Sequence, residues 1–188
     1  MIKFVVAFIF ILFDLVLGVE NIQFDLLPDF IGYAVLVYGI WRMQKRHGEN
    51  LEFQPVAKQG ILLFAASAVV TYLCCILDLY GVISDMGVYA AWAAALVSDI
   101  LGILAIYMYI RLLTGLQGMN RQFQVKRINT LLMVKVLCTA CQYVAITFAV
   151  SEFAMTFQIF EMVVNLMILV YMTTSAFTYK EKYMQNNA

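Results

Sequence analysis

Between Lys58 and Asp78 the chain runs from Gln59 to Leu77, "QGILLFAASAVVTYLCCIL", without one charged side chain. A helix over those residues is about 28 Å long at 1.5 Å per residue, close to the roughly 30 Å hydrocarbon core of a bilayer. Similar apolar segments recur near Phe4–Val19, Leu26–Met43, Gly60–Leu77, Val88–Ile110, Leu131–Val150 and Phe153–Phe177. Of the 188 residues 64% are hydrophobic and 13% charged, whereas soluble domains run at about 45–50% and about 25%. No water-soluble globule can hide that surplus, so lipid is the solvent of this chain. The expected fold is all-α, a six-transmembrane-helix bundle arranged as three helical hairpins. Residues 1–188 read as a single transmembrane domain, and the second segment is the shortest once Asp29 is passed.

The charges orient these segments. Lys3 precedes the first, and Arg42, Lys45, Arg46 and Lys58 lie between the second and third. Arg111, Arg121, Lys126, Arg127 and Lys135 flank the gap between the fourth and fifth, and Lys180 and Lys182 follow the sixth. Those are all twelve basic residues, and on this topology every one falls on the same side. Basic loops stay in the cytoplasm, so the expectation is a multi-pass cell-membrane protein with both termini inside. The opposite loops carry Glu20, Asp25, Asp85 and Glu152 and no cation. The first segment is not read as a cleaved signal peptide, because Asp14 interrupts it and no small-x-small site follows.

Five carboxylates then need an explanation. Asp14, Asp78, Asp99 and Glu161 fall inside apolar segments, and Asp29 sits at the mouth of one. Each acid at mid-bilayer costs about 2.5–3.5 kcal/mol on insertion scales, so they face the bundle interior or water rather than lipid. Asp99 follows Ala91 and Ala95 at four-residue steps, on a small-residue face that lets helices approach. Gln158, Glu161 and Asn165 form a polar stripe, and Thr71 with Cys74 or Cys75 and Asp78 form a weaker one. With no basic residue expected on their side, these acids are protonated, solvated, hydrogen-bonded, or neutralised by an outside cation. The candidate site for a cation or small solute is therefore Asp99, Glu161, Asn165, Gln158, Asp78 and Asp14, in the outer half of the bundle. Asp29 has two readings: a member of that site, or a first-turn anion after Pro28, where the helix dipole favours negative charge.

Other patterns point to less. Cys138-Thr-Ala-Cys141 and the vicinal Cys74-Cys75 read as packing thiols, and His47, the one histidine, leaves no zinc-binding set. There is no Ser–His–Asp arrangement, no glycine-rich phosphate loop and no basic block for nucleic acid. Neither an enzyme nor a cofactor is expected. Trp41, Trp92, Tyr80 and Tyr89 suit interfacial belts. The connector "GLQGMNRQFQVKRINTLL" reads either as an amphipathic helix on the inner leaflet or as a solvated linker. The tail "KEKYMQNNA" is polar and expected to fray. Asp29-x-x-Gly32 and Asp99-x-x-Gly102 are alike enough to suggest an internal repeat, although composition alone produces such likeness.

The stretch "FDLLPDFIGY", with an acid-containing segment before it and a basic loop after it, resembles a scattered group of short, uncharacterised multi-spanning proteins of Gram-positive bacteria. The resemblance covers about the first 45 residues and implies membrane location only, since that group has no assigned activity. In size and six-span plan the chain is also similar to substrate-binding subunits of energy-coupling-factor vitamin transporters, without their glycine-proline segments. Two functions follow as expectations. One is binding or transport of a small cation, a proton-coupled solute or another small solute. The other is a non-transporting scaffold, immunity or regulatory protein whose acids are structural. The bilayer is the implied partner, nucleic acid is not, and a homo-oligomer or a partner membrane subunit stays open.

Overall fold

A computed structural model describes residues 2–13, 16–19, 22–25, 28–46, 51–79, 82–116, 125–148 and 150–185. In chain order the elements are α1 (Ile2–Leu12), β1 (Val16–Val19), β2 (Ile22–Asp25), α2 (Asp29–Arg46), α3 (Phe53–Leu79), α4 (Val82–Asp85), α5 (Val88–Leu116), α6 (Val125–Thr147) and α7 (Ser151–Gln185). Four of them, α3, α5, α6 and α7, are long and apolar enough to cross a membrane. Read above as one transmembrane domain, the chain divides into two compact units. The first is Lys3–Ala105; the second is Ile106–Ala188 with Met1–Ile2.

Local chemistry sets several boundaries. Pro28 supplies a carbonyl to the Ile31 N–H at 3.0 Å, and α2 opens with Asp29 in its first turn. Gly87 adopts φ +91° between α4 and α5, a conformation that side chains resist, and its carbonyl accepts from Ala90 N at 3.0 Å. At the end of α6 the Val150 N–H reaches back to the Ala145 carbonyl at 3.0 Å, closing the helix before α7 begins. Within the long helices, hydroxyls donate to carbonyls one turn back. Ser67 donates to Leu63, Thr71 to Ser67, Thr114 to Ile110 and Ser175 to Tyr171, all at 2.9 Å. A donor without water must find such an acceptor.

The first expected segment is the main departure. Its helix stops at Leu12, and the chain turns into an antiparallel hairpin in which Val16 pairs with Asp25 and Val19 with Ile22. Eleven helical residues reach about 16 Å, half the hydrocarbon core, so α1 does not cross as a helix. Apolar content alone does not distinguish a helix from a β-branched strand over so short a run. The α2 helix begins at Asp29 rather than Leu26 and is not among the four long apolar helices, because Arg42, Lys45 and Arg46 extend it.

In the first unit α1 lies antiparallel to α2, with glycines at the crossing. A Cβ on Gly32 would stand 2.7 Å from the Ala7 carbonyl oxygen and 2.7 Å from Ile11, and one on Gly39 would stand 3.1 Å from the Phe4 ring. Phe8 of α1 and Tyr33, Leu36 and Ile40 of α2 are fully buried. The α3 helix returns beside α2, with Phe64 against Tyr33, Tyr72 edge-on to Phe30, and the Gln44 and Gln54 amides bonded at 2.8 Å. In the second unit α6 and α7 form a helical hairpin. Of the amphipathic connector, residues 117–124 lie outside the described set, and the part from Val125 is the start of α6. The tail is helical through Gln185 rather than frayed.

Candidate functional site

The α6 helix buries Ile128, Leu132, Lys135, Thr139 and Ala145 along one face. A lysine in the middle of that stripe breaks its apolar pattern, and its place is fixed by the facing helix. Across the hairpin α7 buries Glu161, Val164, Asn165, Ile168, Met172 and Ser175. Lys135 Nζ donates to Glu161 Oε1, with the two side chains only 4% and 11% exposed. Both residues lie thirteen positions from Phe148, on opposite arms of the hairpin, which puts the pair about 20 Å from the turn. For a helix crossing a core about 30 Å thick, a point that far from its end would lie at mid-depth or slightly beyond.

This contact corrects one premise of the sequence reading. Lys135 was counted as a flanking cation, yet it lies about ten residues inside α6, and it answers the acid taken to lack a counter-charge. The signal was present in the sequence. Lys135 falls well within the predicted span Leu131–Val150, and it sits at the same distance from the turn as Glu161.

Around the pair the same α6 face carries Thr139 and Gln142, one and two turns beyond Lys135. Thr139 Oγ1 and Gln142 Oε1 are buried oxygens with no hydrogen-bond partner among the described residues. Asn165, one turn after Glu161, is buried at 7% exposure and adds an amide to the opposite wall. The hairpin thus sets a carboxylate against an ammonium, with a buried hydroxyl one turn along α6 toward the turn and an amide one turn along α7 away from it. Among the described residues no group of three His, Cys, Asp or Glu side chains is placed to hold a metal ion. Cys138 and Cys141 are half-buried thiols on α6, and Cys74 and Cys75 are half-buried thiols on α3.

The other expected site residues are distributed differently. Gln158 is exposed rather than turned toward Asn165, since the α7 face that meets α6 is set by Glu161, Asn165 and Ile168. Asp78 is exposed at the end of α3, and Asp14 lies outside the described residues. Asp99 is half-buried on α5 in the first unit, while Glu161 belongs to the second. Asp29 is half-buried and accepts a hydrogen bond of 2.5 Å from Ser98 Oγ on α5. It is therefore both the first-turn anion foreseen for α2 and a link between helices. One turn on from Asp29 and Ser98, Gly32 and Gly102 both look toward Ile11 of α1. The two Asp-x-x-Gly stretches meet at one wedge, although Ser98 rather than Asp99 makes the bond to Asp29.

No protein family, curated protein or solved structure matches this chain.

Proposed function

We propose that this chain is a multi-pass cell-membrane protein that binds a proton or a small monovalent cation at Glu161, with Lys135 as the resident counter-charge of the empty site. The observation that carries this reading is the buried Lys135–Glu161 pair with the partnerless hydroxyl of Thr139 one turn along the same face of α6. Intramembrane ionisable residues are functional candidates by default. Carboxylate, hydroxyl and amide oxygens are the donors a hard cation takes, and a single carboxylate matches a single positive charge. The lysine side chain is a compact charge on a flexible stem, able to withdraw as a cation arrives, so entry of one charge displaces another. A small solute bearing an ammonium group would enter by the same exchange.

Topology supports a carrier-like plan. Four crossings by α3, α5, α6 and α7 return the chain to its starting side, and the antiparallel α1–α2 pair does the same. Both termini then share a side, which the basic ends of α1, α2 and α7 assign to the cytoplasm.

The test is thermal unfolding of the purified protein in neutral detergent. Sodium, potassium or N-methylglucamine chloride is supplied at fixed ionic strength, from roughly pH 5 to 8. A ligand at about a hundred times its Kd stabilises by about 2.7 kcal/mol. One small cation, or protons, should raise Tm where N-methylglucamine does not. The rise should vanish in Lys135→Met/Glu161→Leu, which removes both charges together. A wild-type Tm indifferent to every cation and to pH would end this reading.

The Asp29–Ser98 bond favours a second reading, a non-transporting protein whose acids hold helices together. Under it, cations leave Tm unchanged in both wild type and double variant.

A further inference from the structure

The basic end of the α1–α2 pair holds its cations in an arrangement that helix packing does not require. Lys3 Nζ lies 3.9 Å above the centre of the Tyr38 ring, and Lys45 Nζ lies 3.7 Å above that of Trp41. The two rings are themselves neighbours, 6.2 Å apart and tilted by 32°. One aromatic shelf therefore carries an ammonium from each of two helices, with exposed Arg42 one turn beyond Tyr38. Stacking on a ring orients a cation without neutralising it. Among the described residues no carboxylate pairs with Lys3, Arg42 or Lys45. The shelf thus presents, at the C-terminal end of α2, three positive charges that no carboxylate among the described residues pairs.

A track leads to it. Ile31, Ala34, Tyr38, Trp41 and Lys45 recur at three- and four-residue steps along one face of α2, and all are exposed, the two rings at 46% each. From Ile31 to Trp41 the face is free of charge and about 15 Å long, the depth of one leaflet of a roughly 30 Å core. A soluble anion would use the cations but not the track, and a zwitterionic lipid the track but not the net charge. We propose that this face is a binding seat for an anionic phospholipid, its phosphate held between Lys3, Lys45 and Arg42 and one acyl chain lying along α2. The seat is independent of the Lys135–Glu161 site, because it belongs to the other unit.

The chain has two tryptophans, Trp41 and Trp92, which makes the seat readable. Full-length protein carrying Trp92→Phe is reconstituted in phosphatidylcholine vesicles. Brominated-chain phosphatidylglycerol or brominated-chain phosphatidylcholine is titrated in, and quenching of Trp41 gives their relative binding constant. Phosphatidylglycerol should be preferred by about fivefold or more, the effect of roughly one basic residue at an anionic surface. Lys3→Gln/Lys45→Gln should bring the ratio close to one while leaving maximal quenching unchanged. Trp41→Phe, which reports from Trp92, should give a ratio near one from the start. Equal quenching by the two lipids in Trp92→Phe overturns the proposal, as does a preference untouched by the lysine changes. Loss of the preference on adding inorganic phosphate or an acidic peptide overturns it too, since those would be the better occupants. If the lysine variant does not fold, the Trp92→Phe protein at about 1 M salt decides. Screening over about 3 Å must collapse the preference, and its survival counts against the seat.

Discussion

Glu161→Gln is the sharpest probe of the intramembrane pair. The substitution keeps the size and hydrogen-bonding shape of the side chain and removes only its charge. It strands the Lys135 ammonium on a helix face where that residue is 3% exposed. Three magnitudes bound the cost. Coulomb attraction across about 4 Å at an effective dielectric of about 20 amounts to about 4 kcal/mol. A lysine at the centre of a membrane helix costs about 2.5–3.5 kcal/mol on insertion scales. Removing one partner of a buried pair in soluble proteins costs about 3–5 kcal/mol. A loss near 3 kcal/mol is therefore expected. The Lys135→Met/Glu161→Leu variant should recover most of it, because exchanging a whole buried pair for apolar groups is often neutral or stabilising. The assay is equilibrium unfolding in mixed detergent micelles, with helicity followed as denaturing detergent is raised and the four cysteine thiols titrated as a second probe. If Glu161→Gln loses less than about 1 kcal/mol, the lysine is not held there by charge. If the double variant is as unstable as the single one, the pair is not the origin of the effect. Either result refutes the account of the α6–α7 hairpin given above.

Three further outcomes follow from the first unit and from the topology. Gly32→Ala should destabilise by about 1–3 kcal/mol, since its Cβ meets the Ala7 backbone oxygen at 2.7 Å. Gly102→Ala, whose nearest neighbour is Ile11 at 3.8 Å, should be neutral or gain up to about 1 kcal/mol of helix propensity; the order is read from Tm values. Asp29→Asn and Ser98→Ala should each cost about 1–2 kcal/mol, from a hydrogen bond to a charged group and the first-turn charge. Because the two share one contact, their double-mutant cycle should show coupling of at least about 0.5 kcal/mol. In a cysteine-free background, Asp85→Cys should react with an impermeant thiol reagent outside the cell and Lys182→Cys only after lysis; the reverse pattern inverts the membrane orientation.

What was legible in the sequence depended on the range of the interaction involved. The helices α3, α5, α6 and α7 could be read because burial in lipid is decided residue by residue over a span of fixed length. The first-turn role of Asp29 could be read because a helix dipole acts within one turn. Lys135 was misplaced because loop-counting of cations assigns any lysine near a span's end to the aqueous side. Only the facing Glu161 shows that this one stays in. The break after Leu12 was illegible for a related reason. "LVLGV" is as apolar as the helix before it, and the hairpin partner "NIQFD" that pulls it into a strand looks like loop. Gln158 shares the spacing of Glu161 and Asn165, yet spacing alone does not say which edge of a polar stripe meets the neighbouring helix.

The closeness of Lys135 and Glu161 also constrains the order in which the chain enters the bilayer. The two are 26 residues apart in sequence, so at a synthesis rate of about 5–20 residues per second Lys135 emerges about one to five seconds before its partner. During that interval α6 alone carries a central charge whose transfer into lipid is unfavourable. The helix is therefore retained at the insertion machinery, or left at the membrane surface, until α7 arrives. On this reasoning the hairpin leaves for the lipid as a pair.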